Sequence, residues 1–490
     1  MCSTDKIQEN GYLTIYLALV FGIVLSLLFA LIEGAAIGAV RAQAEIIADL
    51  GLDSVFAEYN REILNQYGLF FIDSSYGKNN GGAGIVEAHL SDYMSYNMEP
   101  EIDKSMAGKK NLLKLRNPYI EIDEIAYASD ENGMVWKAQA VHYMKAIYGG
   151  DLISILQEQM DLVTGNELCT YDATQQIIQQ KHEFEKALNQ NTIVEYGEES
   201  SEGYSYQKVS NLFDDLVGGG LFQLVFPKGE SISAAVMDSE NYFSLRQKNG
   251  KINQGTGLHE GVNKPEGIVD ELIYGEYLMK MYGSYANPKD MGLLSYQIEY
   301  ILYGKKSDIA NLKAFVERLF AMRIAANAIS MAKDTMRKEE AEIIATAICT
   351  LLLVPQLAKA LAALIVSMWV FAESISDVRQ LFEGGKVPLI KDSSEWSTSL
   401  TRLLNGDLSG SKKSTSGLSY QDYLRIFLGL MNKNDKAARS LDIVEMDIRQ
   451  TKGNERFRID QCTDYIQVGF GFEDAKGHSF VFRRRQCYCN

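Results

Sequence analysis

The chain of 490 residues is poor in proline and cysteine and short of positive charge. With 7 prolines and 6 cysteines, neither proline-rich linkers nor a disulfide scaffold organises it. Its 48 basic residues face 64 acidic ones, which gives a formal net charge of −16. This balance argues against a nucleic-acid partner, because clustered lysine and arginine supply the affinity for phosphate. The hydrophobic fraction of 46% is typical of a folded protein with room for two or three domains.

The short motifs of common active sites are also missing. The sequence contains no GxSxG elbow, HExxH pair, CxxC pair or P-loop, and its five histidines are scattered. We therefore predict no catalytic, cofactor-binding or metal-binding residues, and a protein that is not an enzyme. A surface hydrolase whose acidic residues form no recognisable motif is the least favoured alternative.

One long apolar run stands out near the N-terminus. Residues 12–32, "YLTIYLALVFGIVLSLLFALI", carry no charge, and as a helix they would span about 30 Å, the thickness of a bilayer core. A cleaved secretory signal would have a shorter apolar region and a more basic start. We predict a cytoplasmic tail (1–11), a retained transmembrane helix in contact with membrane lipid (12–32), and an extracellular body. A buried core helix is the alternative interpretation.

The helical pattern continues beyond the apolar run. Leu52, Phe56, Tyr59, Ile63 and Tyr67 recur at spacings of three and four, which predicts a helical stalk over residues 33–67. A membrane span that continues as an amphipathic helix is the build of a pilin-type N-terminal helix. An anchor followed by an ordinary first helix explains the pattern equally well.

For the body we predict an α+β, helix-rich fold. Alternating residues predict a strand at 119–129, and Ser307 is a candidate N-cap for a helix. Two apolar stretches flank Pro355; the first is too short to span a bilayer and the second contains Lys359, so they predict a buried helical hairpin. The predicted regions are a mixed α/β ectodomain (68–304), a helical region (305–450) and a C-terminal β-hairpin packed on the ectodomain (451–490). Helices are predicted near 133–163, 171–191, 205–217 and 418–450.

The C-terminal hairpin brings cysteines together. A turn centred near Ala475 would place residue 462 opposite residue 488, so Cys462 would lie within disulfide reach of Cys487 or Cys489. We predict one such disulfide; three unpaired cysteines near a frayed terminus are the alternative.

Two charged residues interrupt apolar sequence. Glu299 in "SYQIEYILYG" and Arg323 in "LFAMRIAAN" are flanked by apolar side chains on both sides. We predict that they form a structural ion pair, in preference to an active site.

Four stretches together resemble a known group of proteins. "FAEYNREILNQYGLFFIDSSYG" (56–77) directly follows the anchor, and the likeness continues through 294–328, 369–392 and 418–449. They resemble an uncharacterised TadE/TadG-like family of single-pass proteins in monoderm bacteria, associated with tight-adherence (Flp) pili. The resemblance implies an envelope protein, pseudopilin-like or an assembly factor, whose partners are other pilus or secretion-system proteins. A membrane-tethered binding or sensing module is the alternative function.

The pilin-type processing signal is only partly present. In tight-adherence pilins a glycine is followed by four residues, then glutamate and an aromatic. Here Gly11 and Tyr12 form the candidate processing site, and Tyr16 occupies the glutamate position. The missing glutamate favours an assembly or minor-component role over that of a major filament subunit.

Overall fold

A single helix of 52 residues, α1 (Asp5–Phe56), begins the computed structural model. Its large apolar side chains between Tyr12 and Ile32 lie almost entirely exposed, whereas Val40, Ala44 and Ile47 are buried. The chain then turns and starts α2 (Arg61–Tyr67), whose N-cap Asn60 accepts hydrogen bonds from two backbone N–H groups. The predicted stalk over 33–67 is therefore interrupted after Phe56, because a capped second helix starts there.

Four antiparallel strands form the only sheet among the described residues. They are β1 (Ile72–Asp73), β2 (Arg116–Tyr127), β3 (Cys462–Glu473) and β4 (Ser479–Cys487). β2 pairs with one edge of β3, while β1 and β4 share the other edge. The predicted strand at 119–129 and the C-terminal hairpin are thus confirmed. Helix α3 (Ala83–Met98) and the second half of α1 share a hydrophobic core with this sheet.

The described residues fall into two units, each built from separate parts of the chain. The first unit comprises 1–136, 252–264 and 453–490, and the second comprises 137–251 and 265–452. The structure describes residues 5–98, 115–147, 151–165, 173–191, 205–218, 220–227, 229, 231–238, 241–289, 292–407 and 416–488. Cys489 and the first residues of the predicted tail, 1–4, lie outside the described residues.

Segment 252–264 belongs to the first unit because it binds the outer edge of β2. The Thr256 N–H donates to the Ile125 carbonyl oxygen at 2.8 Å. The Asp130 carboxylate accepts from the backbone N–H groups of Gly255 and Gly257 at 2.9 and 3.2 Å. A buried carboxylate thus holds a segment that is distant in sequence.

The second unit is helical. Helix α4 (Asp130–Ile147) starts in the first unit with left-handed backbone at 131–133 and continues into the second. The helices that follow are α5 (Asp151–Gly165), α6 (Ala173–Asn191), α7 (Tyr206–Gly218), α8 (Leu221–Val225), α9 (Phe243–Lys248), α10 (Ile268–Met281), α11 (Gln297–Tyr303), α12 (Asp308–Lys333), α13 (Thr335–Leu351), α14 (Ala358–Phe382), α15 (Leu400–Leu404), α16 (Tyr420–Leu430) and α17 (Lys433–Arg449).

The predicted hairpin around Pro355 is confirmed. Helices α13 and α14 pack against each other, and Pro355 starts the short 3₁₀ turn between them. Helix α14 is long and apolar enough to cross a bilayer, but its most apolar window is 83% buried inside the protein. Its burial identifies it as a core helix. The Ser307 cap is also confirmed, since its hydroxyl oxygen accepts from the Ala310 N–H.

The two units differ from the regions expected from the sequence. The predicted boundary between 304 and 305 falls inside the second unit, where α11 and α12 pack against each other. The predicted C-terminal hairpin (451–490), expected to pack on the ectodomain, joins the sheet of the first unit because β3 pairs with β2.

Candidate functional site

The first half of α1 has the dimensions of a membrane anchor. Its exposed apolar stretch matches a bilayer core in length, and Glu33 is the first charged residue after it. Tyr12 and Tyr16 are exposed within this continuous helix, and Gly11 precedes them in the same helix. This helix fits a single-pass membrane anchor.

The turn between β3 and β4 lies beside the end of that apolar stretch. The Lys476 ammonium contacts the Glu33 carboxylate at 2.9 Å. Farther along the strand, the Arg484 Nε contacts Asp49 Oδ1 at 3.0 Å. Gln486 Nε2, two residues farther along β4, lies 3.3 Å from Asp53 Oδ1, so β4 runs alongside α1. The turn therefore marks the end of the sheet nearest the apolar stretch.

A cavity of about 770 Å³ in the second unit is the candidate ligand site. The C-terminal end of α14, the start of α16 and two loops around residues 229–231 and 285–288 form its walls. Four aromatic side chains line it: Tyr285, Tyr296, Phe382 and Tyr420. The Tyr285 and Phe382 ring centroids are 4.9 Å apart, and those of Phe382 and Tyr420 are 5.2 Å apart, in tilted and edge-on arrangements.

Glu299 lies directly behind this aromatic wall. The Tyr420 hydroxyl donates to Glu299 Oε1 at 2.6 Å, and the Tyr285 N–H donates to the same oxygen at 3.0 Å. The other oxygen, Oε2, is buried and has no hydrogen-bond partner among the described residues. Burial raises the pKa of Glu299 to about 7, with the Asp308 charge adding to the shift and the Tyr420 and Tyr285 hydrogen bonds opposing it. Its charge therefore changes near neutral pH.

Asp308, the first residue of α12, fixes one side of the cavity. Its carboxylate accepts from the N–H groups of Ser295 and Tyr296 at 2.9 and 3.2 Å. The Ser233 hydroxyl also donates to it at 2.6 Å, and the Ser233 N–H donates to the Tyr296 hydroxyl oxygen. The backbone of Ser295 and of the lining Tyr296 is therefore held by one buried carboxylate.

One acidic side chain and one helix end lie at the described lining of the cavity. It contains the carboxylate of Glu383 and neither lysine nor arginine. The 25-residue helix α14 ends at this wall, and a helix C-terminus carries a partial negative charge. The C-terminal turn is closed by Gly384 with φ of 80°.

The predicted ion pair between Glu299 and Arg323 is corrected by the structure. Both residues are fully buried, but the Arg323 guanidinium contacts Asp377 Oδ2 at 2.9 and 3.0 Å. Asp377 also contacts Lys391, which in turn contacts Glu373. Burial opposes ionisation of Asp377, yet the charges of Arg323 and Lys391 lower its pKa below the usual range. Glu373 and Asp377 were not predicted from the sequence. Two carboxylates four residues apart in an otherwise apolar helical stretch could have indicated this buried cluster of charges.

The cysteines lie near the positions expected from the hairpin. Cys462 is buried at the start of β3, and Cys487, at the end of β4, lies opposite Tyr465. The turn is therefore centred near Lys476, one residue later than predicted, which moves the pairing by two positions. Cys487 lies three positions along the hairpin from Cys462, about 10 Å of strand, so the predicted disulfide between these two is wrong. The disulfide of Cys462 with Cys489, which lies outside the described residues, stays a prediction. Among the described residues, no group of three His, Cys, Asp or Glu side chains could hold a metal ion.

Comparison with known proteins finds a matching family model. No curated protein and no solved structure matches the chain. A model of a family of unknown function, DUF5702, matches residues 198–474, more than half of the chain. The matched range contains every described lining residue of the cavity and excludes α1. The chain belongs to the DUF5702 family.

Proposed function

We propose that the chain is a single-pass cell-envelope protein that acts as a pseudopilin-like minor component or assembly factor of a Flp/Tad-type pilus or related secretion system. The observation that carries this proposal is α1, whose first half is exposed and apolar and whose second half packs on an antiparallel sheet. That division corresponds to the build of a pilin-type N-terminal helix. Tyr16, in place of the pilin glutamate, favours a minor role over that of the main subunit.

The proposed orientation places the N-terminus in the cytoplasm and the body outside. A short tail with one lysine precedes the apolar run, and a large acidic body follows it. The partners are then other envelope proteins of the same pilus or secretion system, together with membrane lipid around residues 12–32.

Affinity purification from native membranes tests this function. The full-length tagged protein, extracted in mild detergent, should co-purify with tight-adherence membrane proteins identified by mass spectrometry. An unrelated tagged single-pass protein, expressed at the same level, is the control. Purification without such partners, together with normal piliation in a deletion strain, would contradict the proposal.

A membrane-tethered binding module is the second candidate function. The cavity favours it, because a volume of about 770 Å³ lies within the range of small-molecule sites. This function does not depend on a pilus role, since its evidence comes from the second unit alone.

A further inference from the structure

We propose that the first unit binds a ferric ion through the side chains of Glu58, Tyr76, His89 and Tyr93, here called the Glu58 cluster. The cluster offers one carboxylate, one imidazole and two phenol oxygens. The proposal is independent of the pilus function and of the binding function, because it uses neither the apolar part of α1 nor the cavity.

Three parts of the chain bring the Glu58 cluster together. Glu58 lies in the turn after α1, where its N–H donates to the Val55 carbonyl oxygen. His89 and Tyr93 are four residues apart on α3, which places them on one face of that helix. Tyr76 follows β1 in a turn with φ of 49°, in the left-handed region that residues other than glycine rarely adopt. Segments distant in sequence thus converge on one carboxylate.

The donor atoms are spaced like neighbouring ligands of a small octahedral ion. The Tyr76 hydroxyl oxygen lies 2.7 Å from Glu58 Oε2, and the Tyr93 hydroxyl oxygen lies 2.8 Å from Glu58 Oε1. His89 Nδ1 lies 3.3 Å from Oε1 and 3.2 Å from Oε2. Adjacent ligands held about 2.0 Å from an octahedral ion are about 2.9 Å apart. One ion could therefore contact all four residues after small shifts of their side chains.

The chemistry of the donors selects the ion. Phenolate and carboxylate oxygens are hard ligands that suit hard, highly charged cations, imidazole also suits iron, and tyrosine is a known ligand of haem iron. The Glu58 carboxylate and two phenolates together carry three negative charges, which a trivalent ion neutralises. A divalent ion would leave one of these charges uncompensated in a partly buried site.

Without an ion, protons hold the cluster together. Both phenols donate to Glu58; burial and this hydrogen bond raise the pKa of Tyr76, and the hydrogen bond to Glu58 raises the pKa of Tyr93. A bound ferric ion inverts this preference, because its charge favours the ionised phenols, and the two phenolic protons pass to the solvent. His89 then coordinates through Nδ1 and keeps its proton on Nε2.

An ion can reach the Glu58 cluster from the solvent. The side chains of His89 and Glu58 are 32% and 22% exposed, and those of Tyr76 and Tyr93 are half-buried. The Tyr76 ring stacks on the His89 ring with centroids 3.8 Å apart, so each ring orients the other. The cluster is thus both accessible and held in place before an ion binds.

A ferric titration tests the proposal. The full-length protein in detergent micelles is freed of metal with a chelator and titrated with iron(III) nitrilotriacetate. We expect one equivalent of iron to produce the visible charge-transfer band of an iron–phenolate bond and a high-spin ferric EPR signal. Absence of the band at saturating iron would overturn the proposal, as would displacement of the ferric ion by equal concentrations of copper(II) or zinc(II). Neither result bears on the pilus or the binding function.

Variants locate the ion. Tyr76→Phe and Tyr93→Phe each remove one phenolate and keep the ring, so each should weaken iron binding at least about tenfold, and the double variant should lose the band. The matched control is Tyr96→Phe, at an exposed tyrosine of the same helix α3, which should bind iron like the wild type. A band of wild-type intensity in the double variant, with folding verified by circular dichroism, would place the iron elsewhere and refute the assignment. Glu58→Gln, which should also weaken iron binding at least about tenfold, keeps the test valid if the double variant fails to fold.

Discussion

At the scale of single residues, the second unit buries its charges in matched sets. Arg323 also donates to the carbonyl oxygens of Pro388 and Leu389, so its hydrogen-bonding capacity is used within the core. Removing ions from water costs several kcal/mol each, which only close pairing and hydrogen bonding offset. The network holds α12, α14 and the segment after Lys386 together, and loss of one member would leave a partner charge uncompensated.

Asp377→Asn tests this network. The change keeps the shape of the side chain but removes the negative charge shared by Arg323 and Lys391. We expect the free energy of unfolding to fall by about 3–5 kcal/mol, measured by urea denaturation. The control is Asp214→Asn, which removes an exposed partner of Lys181 and should cost less than about 1 kcal/mol. A loss at Asp377 as small as that at Asp214 would contradict the assignment.

Glu299 makes stability depend on pH. Its pKa in the folded protein, about 7, lies above the ordinary value of 4.5, because burial disfavours the charged form. The folded state therefore binds the proton more tightly, and the stabilisation, fully present below pH 4.5, is lost as pH rises through 7. Asp442 acts in the same direction at lower pH, since burial raises its pKa to about 6.

We therefore expect the free energy of unfolding to decrease between pH 5 and pH 8. Glu299 accounts for a loss on the order of 3 kcal/mol across this range. The Glu299→Gln variant should show a flatter profile above pH 6, whereas Asp442→Asn should flatten the profile below it. Urea denaturation midpoints at half-unit pH intervals measure this, and parallel profiles for wild type and Glu299→Gln would refute the assignment.

At the scale of secondary-structure elements, strong local patterns were sufficient for prediction. The Ser307 cap, the hairpin around Pro355 and the C-terminal β-hairpin each depend on residues close together in sequence. The pairing of β3 with β2 does not, because the two strands come from opposite ends of the chain. The break after Phe56 was missed because the apolar spacing continues through Tyr59 while the backbone turns.

The cavity could not be predicted for the same reason. Tyr285, Phe382 and Tyr420 come from a loop, the end of one helix and the start of another, and only packing brings them together. Glu299 was singled out correctly as a buried charge, but its hydrogen-bond partners depend on that packing. The partner of Arg323 was likewise 54 residues away.

The turn between β3 and β4 gives a prediction at this scale. Lys476 in this turn contacts Glu33, which places its neighbour Ala475 at the level where the apolar run of α1 ends. A diazirine photocrosslinking residue at Ala475, in full-length protein reconstituted into phospholipid nanodiscs, should form lipid adducts detectable by mass spectrometry. Glu455 is the control: its neighbour Asn454 contacts Asn60 beyond the end of α1, about 35 Å from Glu33. Equal lipid labelling at both positions would show that the turn does not lie at the bilayer surface.

At the scale of the whole molecule, the anchor and the cavity belong to different units. The first unit contains α1 and the sheet, and the second contains the cavity and most of the DUF5702 match. An anchor can thus be combined with a ligand-binding part without either function requiring the other. The pilus and binding proposals are therefore compatible, and they are tested separately.

The orientation across the membrane can be tested with cysteines that the chain already contains. Cys2 precedes the apolar run, whereas Cys487 follows it at the end of β4. We expect a membrane-impermeant maleimide, applied to intact cells, to label Cys487 after mild reduction and to label Cys2 only after permeabilisation. Peptide mass spectrometry identifies both sites, and the permeabilised sample is the control. Labelling of Cys2 in intact cells would reverse the orientation.

The same peptides report processing, because cleavage after Gly11 would remove Cys2 and leave Tyr12 at the N-terminus. We expect the uncleaved start, since Tyr16 replaces the glutamate of the pilin signal; a start at Tyr12 would instead indicate pilin-type maturation and direct entry into a filament.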